Sequence, residues 1–232
     1  MLYLRINIMR KLLLISAAFF VSAPAHAVVP DSGEIVFQIL RNGSNFGTHS
    51  VVFDERGDET HVQIDINMKY ALGPVAFFRY EHSNEEVWKG DRILSLSSQT
   101  YDDGDDYAVQ ASWDSVLSVD ANGERYEAPK NLLTTSYWNP ATLKSDQLLN
   151  TQKGQVEDIE VTYLGREDFY TAKDVLKADR YKVQSKVPIE VWYDAKSKQW
   201  VGLKFSVRGS DIEYKRLTPI YKNESTQAQS AY

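Results

Sequence analysis

From residue 33 onward the chain alternates apolar and polar positions with a period of two, the repeat of a β-strand with one buried and one wetted face. The clearest stretch is Thr60 to Leu72. There Val62, Ile64, Ile66, Met68, Tyr70 and Leu72 point one way, while His61, Gln63, Asp65, Asn67 and Lys69 point the other. The same pattern predicts strands over Glu34 to Arg41, Phe46 to Asp54, Val75 to Trp88, Ile93 to Tyr101, Tyr107 to Trp113 and Ser115 to Val119. Turn sequences separate them: Asn42-Gly43, Arg56-Gly57-Asp58, Gly73-Pro74, Gly90-Asp91, Asp103-Gly104 and Asn122-Gly123. Strands joined by such short turns are antiparallel neighbours, so this half of the chain reads as a meander.

Between Asn131 and Thr151 the alternation lapses. Asn139-Pro140 followed by Ala141, Leu143, Leu148 and Leu149 predicts one short helix, with Asn139 as its cap and Pro140 at its first position. Strands resume over Val156 to Leu164, Arg180 to Ser185, Ile189 to Tyr193, Trp200 to Val207 and Ile212 to Leu217. About a dozen strands in one sheet curl or close, because twist accumulates and open edges invite aggregation. The fold class is therefore all-β: a curved antiparallel sheet, half-barrel or barrel, with one short helix. An outer-membrane barrel would need lipid-facing apolar bands in its strands. Ser95, Ser97, Ser98 and Gln99, within Ile93 to Tyr101, suit solvent better.

The first 27 residues do not follow the strand pattern. Arg5, Arg10 and Lys11 precede an apolar run from Leu12 to Val21, and Ala25-His26-Ala27 places small residues at −3 and −1 of a cleavage point. This is the pattern of a secretory signal peptide cut after Ala27, with Met1 or Met9 as the start. An apolar run of that length is too short to span a bilayer core, which needs about 20 residues. No transmembrane anchor is expected after processing. Residues 28–222 then form a single antiparallel β domain, and the polar, unpatterned stretch 223–232 a disordered tail. The expected location is periplasmic or secreted.

Composition narrows the partners. The chain has 26 basic and 32 acidic residues. Loss of the three basic residues in the signal leaves a mature protein more acidic still, which argues against nucleic acid or anionic lipid as the main partner. Cysteine is absent from the sequence, so stability in an oxidising compartment rests on packing.

Candidate chemistry is sparse. Asp102-Asp103-Gly104-Asp105-Asp106 concentrates carboxylates that calcium favours, but lacks the spacing of a calcium loop and suits an ordinary hairpin turn between Tyr101 and Tyr107. His49, His61 and His82 fall on neighbouring predicted strands. His61 lies on the polar face and His82 alternates with Phe78 and Tyr80, so they read as scattered structural histidines. No metal or cofactor is expected. The chain contains no His-Glu-x-x-His, Gly-x-Ser-x-Gly or phosphate-loop pattern, so no catalytic residue is assigned. Aromatic residues could line a cavity inside a curved sheet. Trp138 and Tyr137, beside the helix cap in the irregular stretch, together with Trp113 and Trp192, are the candidate cavity or lid residues.

Several segments together resemble a family of bacterial exported proteins known as domain of unknown function 6134. They are Phe37-Gln38-Ile39-Leu40-Arg41-Asn42-Gly43 with Gly47 beyond it, then Ser136-Tyr137-Trp138-Asn139-Pro140 and Leu149-Asn150-Thr151-Gln152-Lys153-Gly154, and later Arg180-Tyr181 and Val191-Trp192-Tyr193-Asp194. The resemblance implies a β-rich periplasmic fold similar to the curved half-barrels that carry lipoproteins, and it brings no activity. The expected function is non-enzymatic binding of an apolar small molecule or lipid-like group in a concave sheet. A cell-envelope interaction or assembly module, and a hydrolase with an unrecognised site, are the alternatives.

Overall fold

The computed structural model describes residues 28–72, 75–207 and 209–221. The expected signal peptide over residues 1–27, the Gly73-Pro74 turn, Arg208 and the expected disordered tail over 223–232 lie outside them. The first meander runs through β1 (Glu34–Arg41), β2 (Ser44–Arg56), β3 (Glu59–Leu72), β4 (Val75–Lys89), β5 (Arg92–Asp102), β6 (Asp105–Trp113), β7 (Leu117–Ala121) and β8 (Glu124–Ala128). A second one follows in β12 (Glu160–Tyr170), β13 (Val175–Gln184), β14 (Ile189–Asp194), β15 (Trp200–Val207) and β16 (Ser210–Arg216). The two join where β16 pairs antiparallel with β1, Phe37 opposite Arg216 and Ile39 opposite Tyr214. The result is one thirteen-stranded sheet in the order β12-β13-β14-β15-β16-β1-β2-β3-β4-β5-β6-β7-β8. Its two ends, β8 and β12, do not pair with each other, so it is an open half-barrel and not a closed barrel.

Alternation decides which side is dry. On β1, Ile35, Phe37 and Ile39 are fully buried while Gln38 and Glu34 face outward. On β3, Val62, Ile64 and Ile66 are buried, but burial fades toward the hairpin tip, where Tyr70 is 47% exposed. The outward face of β3 and β5 carries Gln63, Asp65, Asn67, Ser97 and Gln99, a polar surface unsuited to lipid contact. Gly47 is required by close approach: a Cβ there would sit 1.9 Å from the Asn67 carbonyl oxygen.

The predicted short helix is present as a 3-10 element, and its extent is corrected. Asn139 does cap a turn, its side chain accepting from the Ala141 amide at 2.9 Å, but the element is a 3-10 turn over Pro140–Lys144. Leu148 and Leu149 belong to a strand. They form β10 (Gln147–Leu149), which pairs with β9 (Leu133–Thr134) and β11 (Val156–Asp158) in a separate three-stranded sheet. Both leucines are fully buried and join the main core. Their spacing fits a helix face and a strand equally well, and pairing on both sides of β10 decided between them.

The acidic loop is a two-residue hairpin turn. Asp103 and Gly104 both have positive φ, 52° and 121°, between the closing pair Asp102 and Asp105. Asparagine tolerates that conformation as well as aspartate does. Changing Asp103 and Asp105 to asparagine should therefore move the unfolding free energy by less than about 0.5 kcal/mol, with or without calcium. Calcium-dependent melting of the parent protein that vanished in the variant would contradict the turn reading.

Candidate functional site: the inner face of the half-barrel

The segment from residue 131 to 158 leaves β8, crosses the inner face and returns as β11, filling one end of the half-barrel as a plug. Trp138 is its anchor. It is fully buried, with its ring 5.2 Å from Phe53 and 5.5 Å from Trp88, each in edge contact. Its indole N–H donates to Glu86 Oε2 at 3.2 Å. Glu86 is itself buried and also accepts from Trp88 Nε1 at 2.8 Å and from Asn84 Nδ2 at 2.9 Å. Burial pushes its pKa upward, and these hydrogen bonds oppose the shift. Ser136, whose hydroxyl reaches the same carboxylate at 3.4 Å, completes the latch between plug and sheet.

A second set of contacts ties the plug to the middle of the sheet. Ser98 Oγ donates to the Thr151 carbonyl, and Tyr126 OH to the Gly154 carbonyl. Gly154, with φ of 71°, lies where a Cβ would come within 2.6 Å of the Ala121 side chain. On the other flank Tyr193 OH donates to the Tyr137 carbonyl at 2.7 Å.

One register row crosses the inner face through Phe37, His49, Ile66, His82 and Thr100. His49 and His82 thus share a face, contrary to the sequence reading that scattered them, whereas His61 stands outside beside Glu59. His82 Nδ1 meets Thr100 Oγ1 at 2.8 Å, and its Nε2 meets Thr151 Oγ1 at 3.4 Å. Burial lowers its pKa to about 4. His49 lies in an aromatic box of Phe37, Trp200 and Tyr214, and neither ring nitrogen has a hydrogen-bond partner. Burial first, and the neighbouring His82 second, lower its pKa to about 3. The His82–Thr100 pairing is sealed from solvent, with no carboxylate hydrogen-bonded to the ring among the described residues. It ties the plug to the sheet through Thr151.

Beyond that row, at the end away from Trp138, the inner face turns aromatic. Phe46 stacks on Phe78 at 5.4 Å, Met68 is half-buried, and Tyr80 lies opposite Met68 with its buried hydroxyl unpartnered. Tyr70 and Phe77 stand exposed at the rim, their rings 6.1 Å apart. Arg41, in phase with Ile35, Phe37 and Ile39, holds its guanidinium 5.7 Å from the Phe46 ring centre and 5.4 Å from that of Tyr70. By contrast, a surface groove of about 790 Å³ along β5–β8 is lined largely by polar groups, among them Ser97, Gln110, Ser112, Ser118, Arg125 and Glu127.

The four aromatic residues singled out in the sequence do not converge. Tyr137 and Trp138 lie in the plug, and half-buried Trp113 sits on the inner face at the end of β6 under Arg92. Trp192 packs elsewhere, against Phe169, Leu176, Ala178 and Val201, with its N–H on Glu167 at 2.7 Å. Glu86 and Arg41 went unnoticed in the sequence. Their signal was polarity in phase with buried neighbours: Glu86 alternates with Tyr80, His82 and Trp88, and Arg41 with Phe37 and Ile39.

Comparisons with known proteins fit this architecture. A family model described as Domain of unknown function (DUF6134) matches residues 37–217. A solved beta-barrel-like protein of domain of unknown function DUF1849 from Brucella abortus superposes with a TM-score of 0.59 at 8% sequence identity. That alignment covers 85% of this chain and 100% of the other. No curated protein matches the chain.

Proposed function

Since the chain belongs to the DUF6134 family, a domain of unknown function, we propose its function from the inner face of the half-barrel. The protein is a non-enzymatic binding protein. It is exported after cleavage at Ala27, periplasmic or secreted, and holds an apolar or amphipathic small molecule at the aromatic end of its concave sheet. The plug closes the opposite end and acts as a fixed floor.

One observation carries this reading. Exposed Tyr70 and Phe77 adjoin an inward aromatic surface formed by Phe46, Phe78 and Tyr80. An exposed aromatic cluster continuous with an apolar inner face is the kind of surface that takes up apolar small molecules. The titratable groups with shifted pKa values support binding over catalysis, because Glu86 and His82 are engaged with the plug and sealed from solvent.

Organic extraction of protein purified from its native envelope, followed by mass spectrometry, is expected to yield a near-equimolar apolar or amphipathic compound. The neutral probe N-phenyl-1-naphthylamine should also brighten when added to ligand-stripped protein. An empty extract together with an unresponsive probe would overturn the reading. A second reading, an assembly module of the cell envelope, is favoured by the open edge strand β12, where Tyr163 and Leu164 are 54% and 46% exposed.

A further inference from the structure

The inner face carries an arginine near each end of the β1–β16 seam, and their surroundings differ. Arg216, fully buried beside Phe37, is saturated by protein acceptors. Its guanidinium donates to the Trp200 carbonyl at 2.7 Å, to Gln199 Oε1 at 2.8 Å and to the Thr218 and Pro219 carbonyls at 3.2 Å. Arg41, at the aromatic end, donates among the described residues only through Nε, to Ser210 Oγ at 2.9 Å. Among the described residues no carboxylate lies within ion-pair distance of it. The inward-phase carboxylate of that end, Asp102, is on β5, four strands away in the sheet order. At the ordinary strand spacing that is about 19 Å along the sheet.

Around Arg41 the floor is apolar. Ile212 lies directly opposite it on β16, Phe205 beyond that on β15, and Phe46 and Tyr70 lie beneath the guanidinium. The guanidinium lies over two aromatic rings, and among the described residues its two terminal nitrogens have no hydrogen-bond acceptor. A fork of N–H donors held over an apolar floor matches an oxyanion attached to a hydrocarbon chain.

We propose that the aromatic mouth of the half-barrel binds a single-chain amphipathic anion, its oxyanion head on Arg41 and its apolar chain against Phe46, Tyr70, Phe78 and Ile212. This rests on the reading of the concave face as a ligand site and adds the charge and shape of the ligand. Neutral apolar compounds occupy the same floor without the head-group contact and bind more weakly.

The test compares 11-(dansylamino)undecanoate with its methyl ester, both followed by dansyl fluorescence at pH 7.5 and low salt. The acid is expected to bind parent protein at least about tenfold more tightly than the ester, the difference that one charge-assisted contact supplies. Arg41→Gln should erase that preference while leaving ester affinity unchanged, which also reports an intact fold. Arg41→Lys should keep part of it, and Tyr70→Ser should weaken acid and ester alike. Equal binding of acid and ester by parent protein, or an acid preference that survives Arg41→Gln, overturns the anion site and leaves the concave ligand site standing. Failure of both probes to bind overturns the two together.

Discussion

Lowering the pH from 7 to 4.5 should destabilise this protein by about 5 kcal/mol, chiefly through two histidines of the inner face. In the unfolded chain a histidine takes up its proton near pH 6.5. In the folded chain burial lowers the pKa of His49 to about 3 and of His82 to about 4. Between those limits the unfolded state binds more protons, so stability is fully present above pH 6.5 and is lost as the pH falls toward the folded values. Two groups losing about 1.4 kcal/mol per pH unit each over two units give the stated total.

Other groups work in different windows. Glu86, whose pKa is raised by burial, favours the folded state on the acid side and loses that contribution as the pH rises, a partial offset. Asp179 is held down to about 2 by its hydrogen bond to Arg166 and by Lys198, so its contribution disappears only below the ordinary aspartate range. Urea unfolding at pH 7 and pH 4.5 measures the slope. His49→Phe combined with His82→Asn should flatten it. His49→Phe alone should cost little at pH 7, because it removes a buried ring whose nitrogens have no partner. Equal urea midpoints for the parent protein at the two pH values would sink the account.

Trp138→Ala is expected to lower the unfolding free energy by about 3 to 5 kcal/mol, the cost of deleting a fully buried indole and leaving a cavity. Two edge contacts disappear with it, to Phe53 and Trp88, and Glu86 loses one of its donors while staying buried. Trp138→Phe separates the two effects. It keeps most of the packing and removes only the indole N–H, a loss of about 1 kcal/mol. Trp113→Ala, at a half-buried position, should cost less than Trp138→Ala. Chemical denaturation of the three variants gives the order directly, and a loss under about 1 kcal/mol for Trp138→Ala would mean that the plug is not part of the core.

The two effects share a structural origin. Glu86, His82 and Thr151 are polar groups placed where a plain plug would use leucine and valine. The hydrogen bonds that cross from plug to sheet, Trp138 to Glu86, Thr151 with His82, and Ser98 to the Thr151 carbonyl, form only in one alignment of segment 131–158. Two motifs of the family resemblance find their physical role here. Ser136 to Pro140 carries the latch and the cap, and Leu149 to Gly154 carries the turn that lies against β5, β6 and β7.

What the sequence by itself determined was local and periodic. The alternation marked most of the long strands to within a few residues, because one buried face imposes a period of two on any chain. Turn pairs such as Asn42-Gly43 and Asp103-Gly104 marked the hairpins, because few residues accept positive φ. Tertiary structure decided the rest. The strand status of Leu148 and Leu149 came from their neighbours β9 and β11, and β8, with the largely exposed, charged pattern Glu-Arg-Tyr-Glu-Ala, is a strand because β7 pairs with it. Trp192 was indistinguishable in sequence from an inward residue. Its face was settled only when Val191 and Tyr193 took the inner side and Phe169 covered it from the other. The convergence of His49, His82 and Glu86 on one surface, and the isolation of Arg41 over aromatic rings, depend on register across four strands. Periodicity along one strand states which side a residue faces, but carries no information about what lies opposite it.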